Sequence, residues 1–302
     1  MARKQSAENI FHTELKNKIA FGQSKHADKA NLKFGESSYK IYSYSTYNTY
    51  LKEVEQYAKW LKEEKNINKI KDIKETEQYA KEYIEKRLNV DKVSVYTAKL
   101  ERSALSMLYT KQIEIEMPKR DNKNITRSRE QTANDKHYSR NGVCRDIFTV
   151  ALATGGRRSD LQNLKQTDFI EKDGLLYVNF IQSKGGRDRL APVREEYKQQ
   201  VLEIVNKAKK DGKTRLIDRK IPKEIDVHAL RREYAKNLYK DITENRELRD
   251  TYLKMYPERS EKVKRDIYKD RDDNVYNRDD LYVITQALGH NRIDVSVTHY
   301  LK

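Results

Sequence analysis

The chain has 302 residues, enough for two domains each with its own core, and its 63 Lys and Arg against 47 Asp and Glu give a formal net charge of +16. That excess points to a densely anionic partner, nucleic acid first and an anionic membrane surface second. The apolar runs are too short for a spanning helix, and neither an apolar leader after Met1 nor a solenoid repeat is visible, so a soluble intracellular protein is expected.

Residues 1 to about 40 are basic and weakly periodic, which predicts a flexible arm or a short appended helix. Beyond it, Tyr47, Tyr50, Leu51, Val54, Tyr57, Ala58 and Leu61 recur at helical spacing, with Ser45 available as the cap. A second helix is expected from Glu75 to Leu88. A third runs through "SVYTAKLERSALSMLY", where Tyr96, Leu100, Ala104, Met107 and Leu108 share a face and Ser94 can cap. These make a helical bundle over about 41–117. Residues 118–137 are polar and basic and read as a linker.

The second half changes character. A helix from Ser139 to Ala153 is expected to stop at Gly155-Gly156, and another to start at Ser159 as its cap. After Asp173-Gly174, "LLYVNFIQSKGGRDRLAPV" reads as strand, Gly-rich turn, strand. Helices follow at Glu195 to Lys210 and in "HALRREYAKNLYKD". The charged stretch 242–278 is expected to be a helical insertion facing water, and "DDLYVITQAL" and "DVSVTHYL" close the chain. The single Cys144 sits in the apolar stretch "GVCRDIFTVALA" and reads as a buried, inert thiol.

The informative polar residues lie at the joints. Arg157 follows the Gly-Gly break near a helix N-terminus, where backbone N–H groups favour an anion. His228 and Arg231, three apart, share one helix face. Lys184 is at a hairpin tip, His290 follows Leu288-Gly289 at a helix end, and Tyr300 lies about two turns beyond Asp294, read as the next cap. Singly, each has an ordinary explanation as a surface cation, hairpin tip or core aromatic. Two distant histidines without a third ligand make a poor zinc site.

In order, "ATGGRRSDLQNLKQTDF", Lys184, "HALRREYA" and "LGHNRIDVSVTHY" resemble the catalytic domain of the tyrosine recombinases, the integrases of phages and mobile elements. The resemblance spans about Tyr138 to Lys302, and the preceding bundle resembles that family's core-DNA-binding domain. It implies a mainly α fold with a small antiparallel β-sheet: a helical DNA-binding bundle plus an α+β catalytic domain. It also implies catalytic roles for Arg157, Lys184, His228, Arg231 and His290, with Tyr300 as nucleophile and Asp160 as a buttress. Two departures stand out. The His290 to Tyr300 spacing is one residue longer than in most of the family, and the charged insertion lengthens the interval from Arg231 to His290.

The residue types suit phosphoryl transfer. Two planar, permanently charged guanidiniums can hold the charge that builds on a pentacoordinate phosphorus, in place of metal ions. A phenol, with an ordinary pKa of about 10, must lose its proton as it attacks, and His228 can accept it; Lys184 can protonate the departing 5′ oxygen and His290 can bond a phosphate oxygen. A 3′-phosphotyrosine keeps the energy of the broken bond, so no cofactor, metal or ATP, is expected, in keeping with the lack of a Walker A motif.

The resemblance therefore implies a site-specific DNA recombinase that closes two basic domains around double-stranded DNA. It further implies a homo-oligomer forming a tetrameric synapse, accessory DNA-bending proteins, and a place in the bacterial cytoplasm at the nucleoid. Because the last helix has only to deliver Tyr300, protomer coupling is expected to use other surfaces, such as the insertion. A type IB topoisomerase activity and a non-catalytic DNA-binding protein derived from a recombinase are the alternatives.

Overall fold

The computed structural model describes residues 4–33, 36–119, 138–183, 187–259, 265–290 and 292–301. The chain forms two compact units, Met1–Ile125 and Thr126–Lys302.

In the first unit, β1 (Gln5–Ser6) pairs antiparallel with β2 (Lys69–Ile70), and α1 (Ala7–Asn17), α2 (Lys25–Ala30), α3 (Tyr44–Glu64), α4 (Lys74–Glu77), α5 (Ala80–Asn89) and α6 (Val95–Tyr109) form a bundle. Of the two expectations for residues 1–40, the structure has the short helix and corrects the flexible arm. Helix α1 is capped by Ser6 and buries Ala7, Phe11 and Leu15, and Phe11 stacks on Tyr57 at 5.8 Å. Three apolar contacts at i, i+4 and i+8 anchor an otherwise charged helix, which is why its periodicity reads as weak. The cap of α3 is Ser43, whose hydroxyl accepts from Thr46 N at 3.2 Å, rather than Ser45. The expected Glu75–Leu88 helix is two pieces, α4 and α5. Tyr57, Trp60, Tyr83 and Tyr109 fill the centre, and the Tyr57 hydroxyl donates to Thr76 O at 2.6 Å, satisfying a phenol buried far from water.

In the second unit, α7 (Arg145–Thr154) packs against α9 (Glu195–Lys210) and α10 (Val227–Glu244). The joint after α7 leads into α8 (Arg158–Asn163), then to a three-stranded antiparallel sheet of β3 (Phe169–Lys172), β4 (Leu175–Ser183) and β5 (Arg187–Pro192), with β4 in the middle. Strand β3 is absent from the sequence reading. Asp173-Gly174, both at positive φ, is the two-residue turn of a β3–β4 hairpin, in the geometry that Asp-Gly favours. Helix α7 starts at Arg145 rather than Ser139, and the cap of α8 is Arg157 rather than Ser159.

The stretch 242–278 is not a purely helical, water-facing insertion. It holds α11 (Arg246–Lys254) and a hairpin of β6 (Ile267–Lys269) and β7 (Val275–Asn277). Asp270 organises the hairpin turn by accepting from Asp272 N at 2.8 Å and Asn274 N at 3.1 Å, a local bonding preference that charge patterning does not reveal. Tyr252 of α11 is buried in the core, edge-on to Tyr177. Asp280, at the start of α12 (Arg278–Ala287), lies 3.2 Å from Arg246 and 3.6 Å from Arg249, tying the two helices together. The chain closes with α13 (Ile293–Ser296), not capped by Asp294, and a π-helical turn, Val297–Leu301. Among the described residues no helix is long and apolar enough to cross a membrane.

Candidate active site

The site is built at two glycine joints. Helix α7 ends at Gly155, whose φ of +60° closes the last turn with a bond from Gly155 N to Ala151 O. A Cβ there would sit 2.2 Å from Tyr234 Cδ1, so the joint presses directly on α10. This approach delivers the Gly155 carbonyl to Arg231, which donates to it. Helix α12 ends in the same way. Gly289 takes φ +60°, its N–H reaches Gln286 O, and His290 N reaches Thr285 O, so the chain reverses immediately before the His290 ring.

Arg157, in extended conformation at the start of α8, is held by its own N–H, which donates to Asp160 Oδ2 at 3.1 Å. Its guanidinium donates to Ser183 Oγ at 2.9 Å and to Leu288 O at 3.2 Å. The neighbouring Arg158 points elsewhere, donating to the carbonyls of Ile221, Pro222 and Ile225 in the loop that leads to α10. Two adjacent arginines thus divide between the site and the scaffold.

On α10, Asp226 caps the first turn and His228 and Arg231 share a face. Arg231 is 1% exposed, the largest fully buried side chain among the described residues. It donates to Gly155 O and Leu288 O, and its Nε lies 3.4 Å from the Tyr300 hydroxyl. Tyr300 is buried on the π-helical turn, its ring centroid 5.3 Å from that of His228 and 4.9 Å from that of His290, with the Arg231 guanidinium 5.5 Å away. His290 Nδ1 is 3.1 Å from Ser296 Oγ, which in turn lies 3.0 Å from Thr285 Oγ1. Burial, followed by the charges of Arg231, Arg157 and Arg189, pushes the His290 imidazole down to about 3, so it is neutral at neutral pH.

Five of the six sequence-predicted catalytic residues, Arg157, His228, Arg231, His290 and Tyr300, are therefore brought together, with Asp160 behind them. Lys184, between β4 and β5, lies outside the described residues. Sequence reasoning missed Arg189, Ser183 and Ser296. Arg189 carried a readable signal: Arg189, Ala191 and Val193 alternate as the inward positions of β5 and its exit, and an arginine on such a face demands a partner.

Electrostatically, three guanidiniums gather at the C-terminal end of α12. Arg189 donates to Ala287 O, and Arg157 and Arg231 donate to Leu288 O, where the helix presents its negative pole. Among the described residues a single carboxylate, Asp160, sits with them, accepting from Arg189 at 3.0 Å and from Ser183 at 3.0 Å. Burial pushes the Arg231 guanidinium down, and Tyr300 counters it. A cluster of cationic charge in excess of its carboxylate can attract an anion, and a phenol lies beside it.

The profile of the phage integrase N-terminal SAM-like domain matches residues 36–119. The fold of the whole chain matches a XerH site-specific recombinase bound to palindromic difH substrate in a post-cleavage complex, at TM-score 0.56 and 15% identity, covering 98% of this chain and 93% of that one. The chain has the tyrosine recombinase fold. A pre-cleavage complex of XerH with difH is similar at TM-score 0.52 and 17% identity, covering 99% of this chain and 94% of that one. The Tn1549 transposon integrase (residues 82–397, Y379F) in complex with transposon right end DNA gives 0.46 and 14%, covering 98% and 95%. No curated protein matches at the sequence level. Within this tyrosine recombinase fold, the match to the SAM-like domain falls in the first unit, and the second holds the cluster around Tyr300.

Proposed function

We propose that the protein is a site-specific DNA recombinase that cuts and rejoins strands through a 3′-phosphotyrosine. The observation that carries this reading is the convergence of Arg157 and Arg231 on Leu288 O, with Arg231 Nε also 3.4 Å from the Tyr300 hydroxyl. A scissile phosphate bound by the two guanidiniums would lie in reach of that phenol. The Tyr300 oxygen forms a bond to phosphorus, its proton passing to His228, and the bond from phosphorus to the 5′ oxygen breaks. Lys184 protonates that oxygen, and neutral His290, fixed through Nδ1 by Ser296, presents Nε2 to a phosphate oxygen. Attack by a 5′ hydroxyl from the other duplex reverses each step and frees Tyr300.

The chain's net charge of +16 supports binding to duplex DNA, and the XerH site-specific recombinase of similar fold is bound to its difH substrate. Each protomer brings one nucleophile, so exchanging all the strands of two duplexes calls for a tetramer. Binding sites selected from random duplexes, placed as a pair on a supercoiled plasmid, test the reading. Inversion or excision between the sites supports recombination. Relaxation without site-dependent products favours a topoisomerase, and binding without any strand cleavage favours a non-catalytic role.

A further inference from the structure

Arg189 is a deeply enclosed charge in the second unit that the reaction scheme does not use. Its side chain is 3% exposed and its guanidinium lies over the Phe180 ring at 4.1 Å. One nitrogen donates to Asp160 Oδ2 at 3.0 Å and another to Ala287 O, so one planar group spans the start of α8 and the end of α12. The turn before His290 is moulded on the same side chain. A Cβ on Gly289 would stand 2.5 Å from Arg189 Cδ. Asp160 also receives the backbone N–H of Arg157 and the hydroxyl of Ser183, and Ser183 in turn accepts from the Arg157 guanidinium. A continuous chain of bonds therefore runs from α12 through Arg189, Asp160 and Ser183 to Arg157.

We propose that Arg189 is a positioning residue for strand cleavage: by tying Asp160 to the end of α12 it fixes Arg157 relative to Arg231 and His290 without touching the phosphate. The inference rests on the recombinase reading above and adds a residue to it. An Asp160 left without this partner would be a buried carboxylate free to draw the Arg157 guanidinium, now 3.7 Å away, out of its bonds to Ser183 and Leu288. A shift of about 1 Å in such a group is enough to cost about 100-fold in rate. The charge of Arg189 is shielded from a bound strand by burial, so strand affinity does not depend on it.

The test is single-turnover cleavage of a nicked suicide duplex carrying the selected site, at a temperature where circular dichroism shows each variant folded. Arg189→Met is expected to slow covalent adduct formation about 100-fold while the dissociation constant for the duplex stays within about twofold. Arg189→Lys, which keeps the stem against Gly289 and one of the two bonds, is expected to lie between Met and wild type, and it stands in if the Met variant does not fold. Coupling is the decisive readout. If Arg189 acts through Arg157, adding Arg189→Met to Arg157→Ala produces no further loss. Losses that multiply in the double variant, or single variants cleaving within about threefold of wild type, overturn the proposal. A wild-type protein that forms no adduct refutes the recombinase reading instead, a result distinct from these.

Discussion

Arg231 Nε lies 3.4 Å from the Tyr300 hydroxyl, joining two residues 69 positions apart in a buried contact. The guanidinium that touches this phenol also ties Gly155 to Leu288, so it joins the candidate site to the scaffold. Arg231→Lys leaves a single ammonium where three directions of bonding are needed. Cleavage is expected to fall by about 10² to 10³. Unfolding stability is expected to drop by about 1–3 kcal/mol for each carbonyl left without a donor, measurable by urea titration.

Arg157 and Arg158 are adjacent and face different tasks, which predicts opposite phenotypes. Arg157→Ala is expected to lose cleavage while melting close to wild type. Arg158→Ala, which strips donors from the carbonyls of Ile221, Pro222 and Ile225, is expected to lower stability by about 1–3 kcal/mol and to cleave within a few-fold of wild type at a permissive temperature. Paired melts and single-turnover assays separate the two.

Glycines at positive φ are not equivalent. Gly155→Ala places a Cβ 2.2 Å from Tyr234 and also strains the backbone, whereas Gly174→Ala, at φ +75° with open space around it, carries only the backbone penalty. Gly174→Ala is expected to cost about 1–2 kcal/mol. Gly155→Ala is expected to cost about 1–3 kcal/mol more from overpacking, and to displace the carbonyl that Arg231 holds. Denaturant midpoints of the two variants measure the difference.

His290 gives the second unit an acid sensitivity with a definite sign. At neutral pH the ring is neutral in folded and unfolded chains alike. Below about 6.5 the unfolded chain takes up a proton that the folded site, with its imidazole pushed down to about 3, refuses. Stability is therefore lost as pH falls through that window. Melting temperature is expected to drop more between about pH 7 and pH 5 for wild type than for His290→Gln. Equal drops would remove His290 as the cause.

Electrostatics also governs affinity. With a net charge of +16, binding to duplex DNA is expected to weaken steeply between about 50 and 200 mM salt, by about 10³ or more if six or more phosphates are contacted. Fluorescence anisotropy across that range reads the slope. A flat titration contradicts a phosphate-dominated interface.

The parts of this protein legible in the sequence are those governed by local pattern. The amphipathic spacing around Val54, Tyr57 and Leu61, the Gly155 and Gly289 stops, and the i, i+3 pairing of His228 with Arg231 all report on nearby residues. What escaped depends on distant partners. Helix α1 is charged except where Phe11 and Leu15 meet the bundle, and Tyr252 enters the core from a stretch that reads as solvent-facing. Arg189 shares the alternating inward face of Ala191 and Val193, but its partner Asp160, 29 positions away, is supplied only by the fold. Ser296 gains meaning only when α13 brings it to His290. Buried polar networks are set by tertiary contact, and short motifs record only their ends.

The most direct measurement is the chemical identity of the protein–DNA bond. A nicked suicide duplex bearing the selected site, incubated with the protein, digested and analysed by mass spectrometry, is expected to yield a nucleotide attached through a 3′ phosphate to the Tyr300 phenol, and Tyr300→Phe is expected to yield none. An adduct on another residue, or undiminished trapping by Tyr300→Phe, would contradict the assignment of Tyr300 as the nucleophile.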